Sequence, residues 1–236
     1  AMRTKTLLLW LEGPLQSWGG DVLPYDRTTQ SFPTRSAIYG MVFSACGWFG
    51  PQEERLAAAA SCPLRIAGYQ SADALPFSDF QSVGVGYDQN DDWEDRMIPK
   101  RSDGKRPAGV AGGKVLLKHY LTDCRFAAFV GVPDAWAADV RAAIVSPAGP
   151  LYLGRKSCVP GYPPLLGLFD AEEAAEKALE RFLQDRAQFR AALARRFEVV
   201  ETQEEDESSF KIDVPLAFGK FPKKKGRRIR IVLSDL

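Results

Sequence analysis

The chain has 236 residues, of which 31 are Lys or Arg and 30 are Asp or Glu, so its formal net charge is only +1. This balance excludes a globally basic nucleic-acid binder, and any contact with nucleic acid has to come from local patches. The hydrophobic fraction of 45% is ordinary and is enough for a buried core. No apolar run approaches the roughly 18 residues that span a bilayer, so we expect a cytoplasmic protein with no membrane contact.

Cysteine and histidine limit the chemistry that this sequence can support. The four cysteines are widely separated and form no C-x-x-C pair, which argues against a zinc site and fits reduced thiols. His119 is the only histidine, so neither an H-E-x-x-H metal site nor a two-histidine ribonuclease can be built. We therefore expect no metal and no cofactor.

An apolar strand at residues 7–11 leads into a polar ledge and then into a helix that begins near residue 34. Gly13 and Pro14 end the strand. The ledge offers an amide, an indole and a guanidinium, from Gln16, Trp18 and Arg35. Such groups at a strand end suit a phosphate or a splayed nucleobase. An ordinary strand–loop–helix connection with a buried tryptophan would show the same pattern.

The first 165 residues predict an α+β domain of ferredoxin-like (RRM-like) β-α-β-β-α-β order. After the first strand and helix, further strands are predicted at 64–70, 115–121, 126–132 and 151–153, with a helix after Pro133. A long segment at about 75–113 interrupts this order with aromatic residues and basic pairs. We interpret it as an inserted arm that orders on a partner, although a disordered insertion has the same composition.

Residues 166–236 predict a second part, with one long helix and a small β-rich end. Apolar residues recur at helical spacing through 170–197. Two short strands are predicted at 210–214 and 228–233, with the basic run KKKGRR at 223–228 as the tip of the hairpin between them. Such a run is either solvated or contacts a phosphate backbone.

A glycine and two cations stand directly after the strand predicted at 151–153, in the segment Gly154-Arg155-Lys156-Ser157. This arrangement is a candidate phosphate contact. It is not a P-loop, because the G-x-x-x-x-G-K-[ST] spacing is absent.

Four motifs, taken in order, resemble the CasD family of the RAMP superfamily, whose members are subunits of the type I-E CRISPR complex Cascade. The motifs are GPLQSWG at 13–19, FPTRS at 32–36, KHYLTD at 118–123 and YLGRKSC at 152–158, and DVPLAF at 213–218 is also similar. The match is best over the N-terminal two-thirds. The resemblance implies a non-catalytic subunit that binds the 5′ handle of CRISPR RNA and caps the backbone of the complex in antiviral defence.

The resemblance also implies partners and contact residues. The partners would be the CRISPR RNA 5′ handle, the Cascade backbone subunit, reached by the arm, the large subunit, and target DNA near the PAM end. Amide and indole groups would read or stack a base, and the cations would neutralise phosphates. The residues expected at the RNA are Gln16, Trp18, Arg35, Ser36, Lys100, Arg101, Lys114, Lys118, His119, Arg155 and Lys156.

The competing interpretation is a metal-independent endoribonuclease that processes precursor CRISPR RNA, as the corresponding subunit does in type I-C relatives. Those relatives use a tyrosine, a lysine and a histidine, and the alternative catalytic residues here are Lys118, His119 and Tyr120. A lysine can stabilise the developing phosphorane charge, and a histidine can move the 2′-OH proton. The family's tyrosine would fall near the end of the first helix, where this chain has Cys46. That difference favours the non-catalytic interpretation.

Overall fold

The computed structural model describes residues 3–19, 25–71, 76–83, 103, 114–186, 193–205, 208–218 and 222–234. These residues form a mixed α+β structure of two sheets and four helices. In chain order the elements are β1 (Thr4–Glu12), β2 (Leu15–Gln16), β3 (Asp26–Arg27), α1 (Arg35–Ala45), α2 (Glu53–Ala60), β4 (Leu64–Ser71), β5 (Phe77–Val83), β6 (Lys114–Thr122), β7 (Cys124–Pro133), α3 (Asp134–Val145), β8 (Leu165–Phe169), α4 (Glu172–Asp185), β9 (Leu193–Glu201), β10 (Ser209–Ala217) and β11 (Lys223–Ser234).

The large sheet has seven strands in the order β10-β11-β9-β4-β7-β1-β8, and every neighbouring pair is antiparallel. β1 and β7 lie near its centre, where Leu8 is opposite Phe129. Both strands are almost continuously buried, because the sheet is covered on both faces there. Strands from before and after residue 165 therefore share one sheet.

Helices cover the two faces of the large sheet unequally. The larger core packs α1 and α3 against the sheet through residues such as Ile38, Val42 and Val140. Thr34 caps α1 by accepting a hydrogen bond from the N–H of Ala37. On the opposite face, α4 covers a smaller cluster in which the rings of Trp10 and Phe182 meet edge to face, 5.1 Å apart.

The small sheet is built around β6. β2 and β5 pair with β6 antiparallel, whereas β3 pairs with it parallel through Asp26 and Arg27. β6 continues into β7 of the large sheet through Asp123, whose φ of 50° turns the chain. The β5–β6 ribbon forms the base of the predicted arm, and most of the arm lies outside the described residues.

Three predicted elements differ in the structure. Residues 151–153 are not a strand, and the strand that pairs with the free edge of β1 is β8, twelve residues further on. The helix predicted through residue 197 ends at Asp185, and Leu193 begins β9. The 223–228 run lies inside β11 and is not a hairpin tip.

Aromatic packing explains why residue 197 belongs to a strand. Phe197 lies opposite Gly68 in the β4–β9 register, and a Cβ on Gly68 would approach the Phe197 ring to 2.4 Å. The ring therefore fills the space that the glycine leaves on the sheet, where it also meets Phe126. The helical spacing of residues 189, 193 and 197 is coincidental, because cross-strand pairing decides the conformation of Phe197.

Candidate functional site

The amide and indole of the ledge are buried inside the fold. Gln16 and Trp18 are both 0% exposed. The Gln16 Nε2 donates to the carbonyls of Leu11 and Cys124 at 3.2 and 2.6 Å, and its Oε1 accepts from the Trp18 indole at 3.0 Å. Neither side chain presents a face on which a base could stack. In this position the two side chains satisfy backbone groups where β1 ends, and a base contact by either one would require it to leave these partners.

Arg35 is also a structural residue. Its guanidinium is 0% exposed. Its donors reach the carbonyls of Ala59 and Cys62 at 3.0 and 2.8 Å, and Glu201 Oε1 at 2.8 Å. A side chain with its donors used in this way cannot neutralise an RNA phosphate without leaving buried carbonyls unpaired. The phosphate contact predicted for Arg35 would therefore need a different position of this side chain. The neighbouring Ser36 hydroxyl lies 3.4 Å from the Thr34 hydroxyl.

Arg35 belongs to a charge network that joins α1 to the C-terminal strands. Asp213 accepts two hydrogen bonds from Arg227 at 2.7 and 2.8 Å and one from the backbone N–H of Arg35 at 2.8 Å. Glu201 accepts from both arginines. Burial by itself would raise the pKa of Asp213, but the Arg227 contacts and the Arg35 N–H outweigh burial and hold that pKa below its usual 3.8.

We expect this network to make the fold acid-sensitive. Because the Asp213 pKa is lower in the folded chain than in the unfolded chain, its contribution to stability is complete above its usual 3.8 and is lost as the pH falls through the folded-state value. Urea unfolding at about pH 5 and about pH 3 measures that loss. Asp213→Asn should show a shallower fall in unfolding free energy over this range than the wild type. An equal fall in both proteins would contradict the assignment to Asp213.

Among the predicted contact residues, the cations that remain accessible lie around β6 and the loop at 153–158. Lys156 is exposed, whereas Arg155, Lys118 and His119 are partly buried. Arg155 joins three segments: its guanidinium donates to the carbonyls of His119 at 3.1 Å and Arg27 at 2.6 Å, and lies 4.8 Å from the centre of the Tyr120 ring. Arg155 thus positions the loop, and Lys156 is the side chain that the loop presents to solvent.

The 153–158 loop is held by the backbone. The Leu153 carbonyl accepts from the N–H of Ser17 at 3.0 Å, and the Leu153 N–H donates to the carbonyl of Cys158 at 2.7 Å. Gly154 has φ of +93°, and a Cβ there would lie 1.6 Å from the Ser17 carbonyl oxygen. Only glycine allows this close approach. The buried part of the ledge therefore supports the loop that carries Lys156.

For three other predicted contact residues, the structure describes no side-chain position. Lys114 begins β6, and the position of its side chain is not described. Lys100 and Arg101 lie outside the described residues, as does most of the arm. Among residues with a described position, no group of His, Cys, Asp and Glu side chains is arranged to hold a metal ion. No helix in the described ranges has the length and apolarity that a membrane crossing requires.

Comparison with known proteins assigns the chain to a family. A family model described as CRISPR-associated protein (Cas_Cas5) matches residues 6–231. The chain belongs to this Cas5 family. It is 28% identical over 178 residues to CRISPR system Cascade subunit CasD of Escherichia coli (strain K12), with 73% of this chain and 75% of that protein covered.

Two solved structures share the fold of this Cas5-family chain. A chain of a CRISPR RNA-guided surveillance complex superposes with a TM-score of 0.69 at 22% identity, covering 98% of this chain and 90% of that one. A crystal structure of a Cas protein gives a TM-score of 0.58 at 23% identity, with coverages of 97% and 94%.

The alternative catalytic residues of the Cas5-family chain do not converge. Lys118 pairs with Asp79 across the β5–β6 ribbon and His119 pairs with Ser78, so alternation places the two side chains on opposite faces. Lys118 Nζ donates to Gln81, whereas His119 lies 3.0 Å from Asp26 Oδ1 and 2.8 Å from Ser78 Oγ. One scissile phosphate could not meet both groups without rearrangement of the ribbon.

Tyr120 of β6 and Tyr39 of α1 are not accessible for the alternative set. Tyr120 is 4% exposed and lies under Arg155. Tyr39 is buried, its hydroxyl donates to the carbonyl of Gly131 at 3.0 Å, and burial raises its pKa above the usual value. Cys46 stands where the resemblance places the tyrosine, and burial raises the pKa of its thiol to about 11.

Several residues of this surface escaped sequence analysis. Asp26 and Ser78 hold the His119 ring, Gln81 holds Lys118, and the carbonyl of Arg27 holds Arg155. The two-residue strand β3 had no sequence signal, because its pairing with β6 depends on partners about 90 positions away along the chain.

Proposed function

We propose that this Cas5-family chain is the non-catalytic subunit of a type I-E-like Cascade complex that binds the 5′ handle of CRISPR RNA. The observation that carries the proposal is the anchored loop at 153–158, which presents Lys156 beside β6. The loop and β6 each contain one of the motifs that resemble CasD. A cation held on a fixed loop beside exposed polar groups suits an RNA phosphate. The E. coli relative is itself named as a Cascade subunit.

The strand order supports the proposed fold assignment. The run β4-β7-β1-β8, with α1 between β1 and β4 and α3 between β7 and β8, has the β-α-β-β-α-β connectivity of a ferredoxin-like domain. The final strand of that domain is β8 and not the segment predicted at 151–153. The loop at 153–158 is therefore part of the α3–β8 connection, where it can be specialised for binding without interrupting the sheet.

The partners in this proposal include proteins as well as RNA. Phe77 and Phe80 on β5 are 44% and 68% exposed, on the ribbon that begins the arm. Exposed aromatic rings on a projecting ribbon suit a protein contact. We assign this ribbon to the backbone subunit, and expect the large subunit and target DNA near the PAM end to meet other faces.

Replacing the two lysines of the proposed handle site, Lys118→Ala with Lys156→Ala, should weaken binding of the handle RNA. For a single strand, log K falls with log salt with a slope of about −0.7 for each neutralised phosphate. Loss of two phosphate contacts should therefore make this slope shallower by about 1.4. Fluorescence anisotropy with a labelled 5′-handle RNA at several salt concentrations measures both the affinity and the slope, with the chain alone and assembled with its partner subunits.

The matched control is Lys177→Ala with Arg181→Ala, two exposed cations of α4 on the opposite face of the large sheet. This control should bind the handle like the wild type. If it weakens binding as much as the lysine pair does, the effect comes from total charge and the assignment of the site is wrong.

The endoribonuclease alternative keeps one observation in its favour: a carboxylate lies near the His119 ring, with Asp26 Oδ1 3.0 Å from Nε2, and a general base is often placed beside such a group. Incubation of the chain with its repeat RNA in the presence of EDTA tests this alternative. We expect no specific product. A single cut that disappears in His119→Ala would overturn the non-catalytic assignment.

A further inference from the structure

The cations of β11 and its neighbours fall into a neutralised set and an unpaired set. Three arginines are neutralised by acids on β9, β10 and the connection between them: Arg227 by Asp213 and Glu201, Arg228 by Glu205, and Arg230 by Glu204. Lys223, Lys224 and Lys225 are exposed and form no ion pair with any described residue. The acids thus cancel the charge at one end of the strand, and three positive charges remain at the other.

An exposed aromatic ring lies beside these lysines. Phe210 on β10 is 63% exposed, and a Cβ on Gly226 would lie 1.9 Å from its Cζ. The tip of the ring therefore occupies the space over Gly226 that a side chain would fill, and most of the Phe210 surface is open to solvent. Ile212, opposite Gly226, is 66% exposed and extends the same apolar surface.

At this end of the sheet, α1 and α2 contact β10 from the side of Asp213, and α4 packs at the opposite end, against Trp10 and Phe129. Within the described part of the chain, Phe210 and Ile212 therefore remain exposed. The segment after β3 lies between this end and the loop at 153–158. Lys211 of β10 donates to Gln30 at 3.2 Å, and Arg155 donates to the carbonyl of Arg27. Lys211 is opposite Arg227 in the strand register, so the segment after β3 connects the neutralised part of β11 with the proposed handle site.

We propose that Lys223, Lys224, Lys225 and Phe210 form a second nucleic-acid-binding surface for a single strand. One base stacks on the open face of the Phe210 ring, and the lysines contact neighbouring phosphates. Unpaired cations beside an open aromatic face are the combination that binds single strands without sequence preference. Guide RNA and target DNA share this chemistry, and the surface does not depend on the handle assignment.

The test separates charge from stacking. Lys223→Gln, Lys224→Gln and Lys225→Gln together should lower the salt slope for a labelled oligonucleotide of about 20 uridines or thymidines by about 2, and its affinity about tenfold. Phe210→Leu keeps an apolar side chain and all charges. It should lower affinity about fivefold or more with an unchanged salt slope, because stacking is not electrostatic.

The charge-matched control is Arg141→Gln, Lys177→Gln and Arg181→Gln, three exposed cations of α3 and α4. An unchanged affinity and slope in the triple lysine variant, or an equal loss in this control, would overturn the proposal. The proposal is also overturned if the triple lysine variant binds both oligonucleotides normally but no longer associates with its partner subunits. The surface would then be a protein interface.

Photocrosslinking identifies the strand. Iodouracil is placed in the guide RNA or in the target DNA of the assembled complex, and the crosslinked peptides are mapped. We expect the peptide that contains Phe210 to crosslink to one of the two strands, and that strand is the ligand. Absence of this peptide with both strands would overturn the proposal. The Lys118 and Lys156 variants should keep the crosslink. Failure of the handle assignment can therefore be distinguished from failure of the second surface.

Discussion

Arg35→Met should lower the free energy of unfolding by about 3–5 kcal/mol, the usual cost of removing one partner from a buried charge network. The substitution removes the Arg35 donors from the carbonyls of Ala59 and Cys62, of which Ala59 keeps the Cys62 N–H. It also removes one of the two arginines that neutralise Glu201. Methionine fills part of the volume, so the loss reflects unpaired polar groups more than a cavity. Urea unfolding followed by tryptophan fluorescence measures the change.

Lys156→Met is the contrasting substitution. It also introduces methionine, but in place of an exposed cation. We expect it to change the free energy of unfolding by no more than about 0.5 kcal/mol and to weaken RNA binding. The two variants therefore separate folding from binding. If Arg35→Met were as stable as the wild type and had lost RNA affinity, Arg35 would be a phosphate ligand and the network would contribute little to stability.

The different surroundings of Arg35 and Lys156 explain why sequence can indicate candidate residue types but not what each side chain contacts. Gln16, Trp18 and Arg35 are residue types that bind RNA, and the same types satisfy buried carbonyls. The distinction depends on Cys124, Glu201 and other partners that are more than 100 positions away along the chain. No local pattern reports such partners, so the prediction could identify the segment and not the direction in which its side chains point.

Secondary structure was predictable where the hydrophobic residues of a segment follow a single helical or strand spacing. The apolar strand in β1 and the helices α1 and α3 follow from buried periodic stripes and from the residues that begin them. β9 was missed because residues 189, 193 and 197 have helical spacing, whereas Phe197 is held in a strand by the space over Gly68. β2 and β3 have two residues each, and only their register with β6 makes them strands.

The proposed site is assembled from segments that no single motif contains. The motif at 118–123 supplies β6, the motif at 152–158 supplies the loop, and the segment after β3 supplies the carbonyl that Arg155 contacts. Motif order predicted the first two, because each is a continuous stretch. The third contact joins residues 27 and 155 and becomes visible only in the folded chain.

Gly154→Ala should be the most disruptive single substitution in the loop, since a Cβ at this position would overlap the Ser17 carbonyl oxygen at 1.6 Å and φ is +93°. We expect a loss of about 2–4 kcal/mol in unfolding free energy. We also expect weaker handle binding at a temperature at which the variant is folded, because relieving the overlap must displace the loop that carries Lys156. Unfolding and anisotropy measurements on the same preparation give both values.

Gly19→Ala separates the two contributions to this effect. Gly19 also has a positive φ, of +55°, but a Cβ there would meet nothing within 4 Å. Its substitution should cost about 1 kcal/mol, from backbone strain alone, and should leave the salt dependence of handle binding unchanged. If Gly154→Ala bound handle RNA as the wild type does despite its lower stability, the position of the loop would not matter for RNA. The proposed site would then have to be sought elsewhere, because Lys156 would have no fixed geometry to contribute.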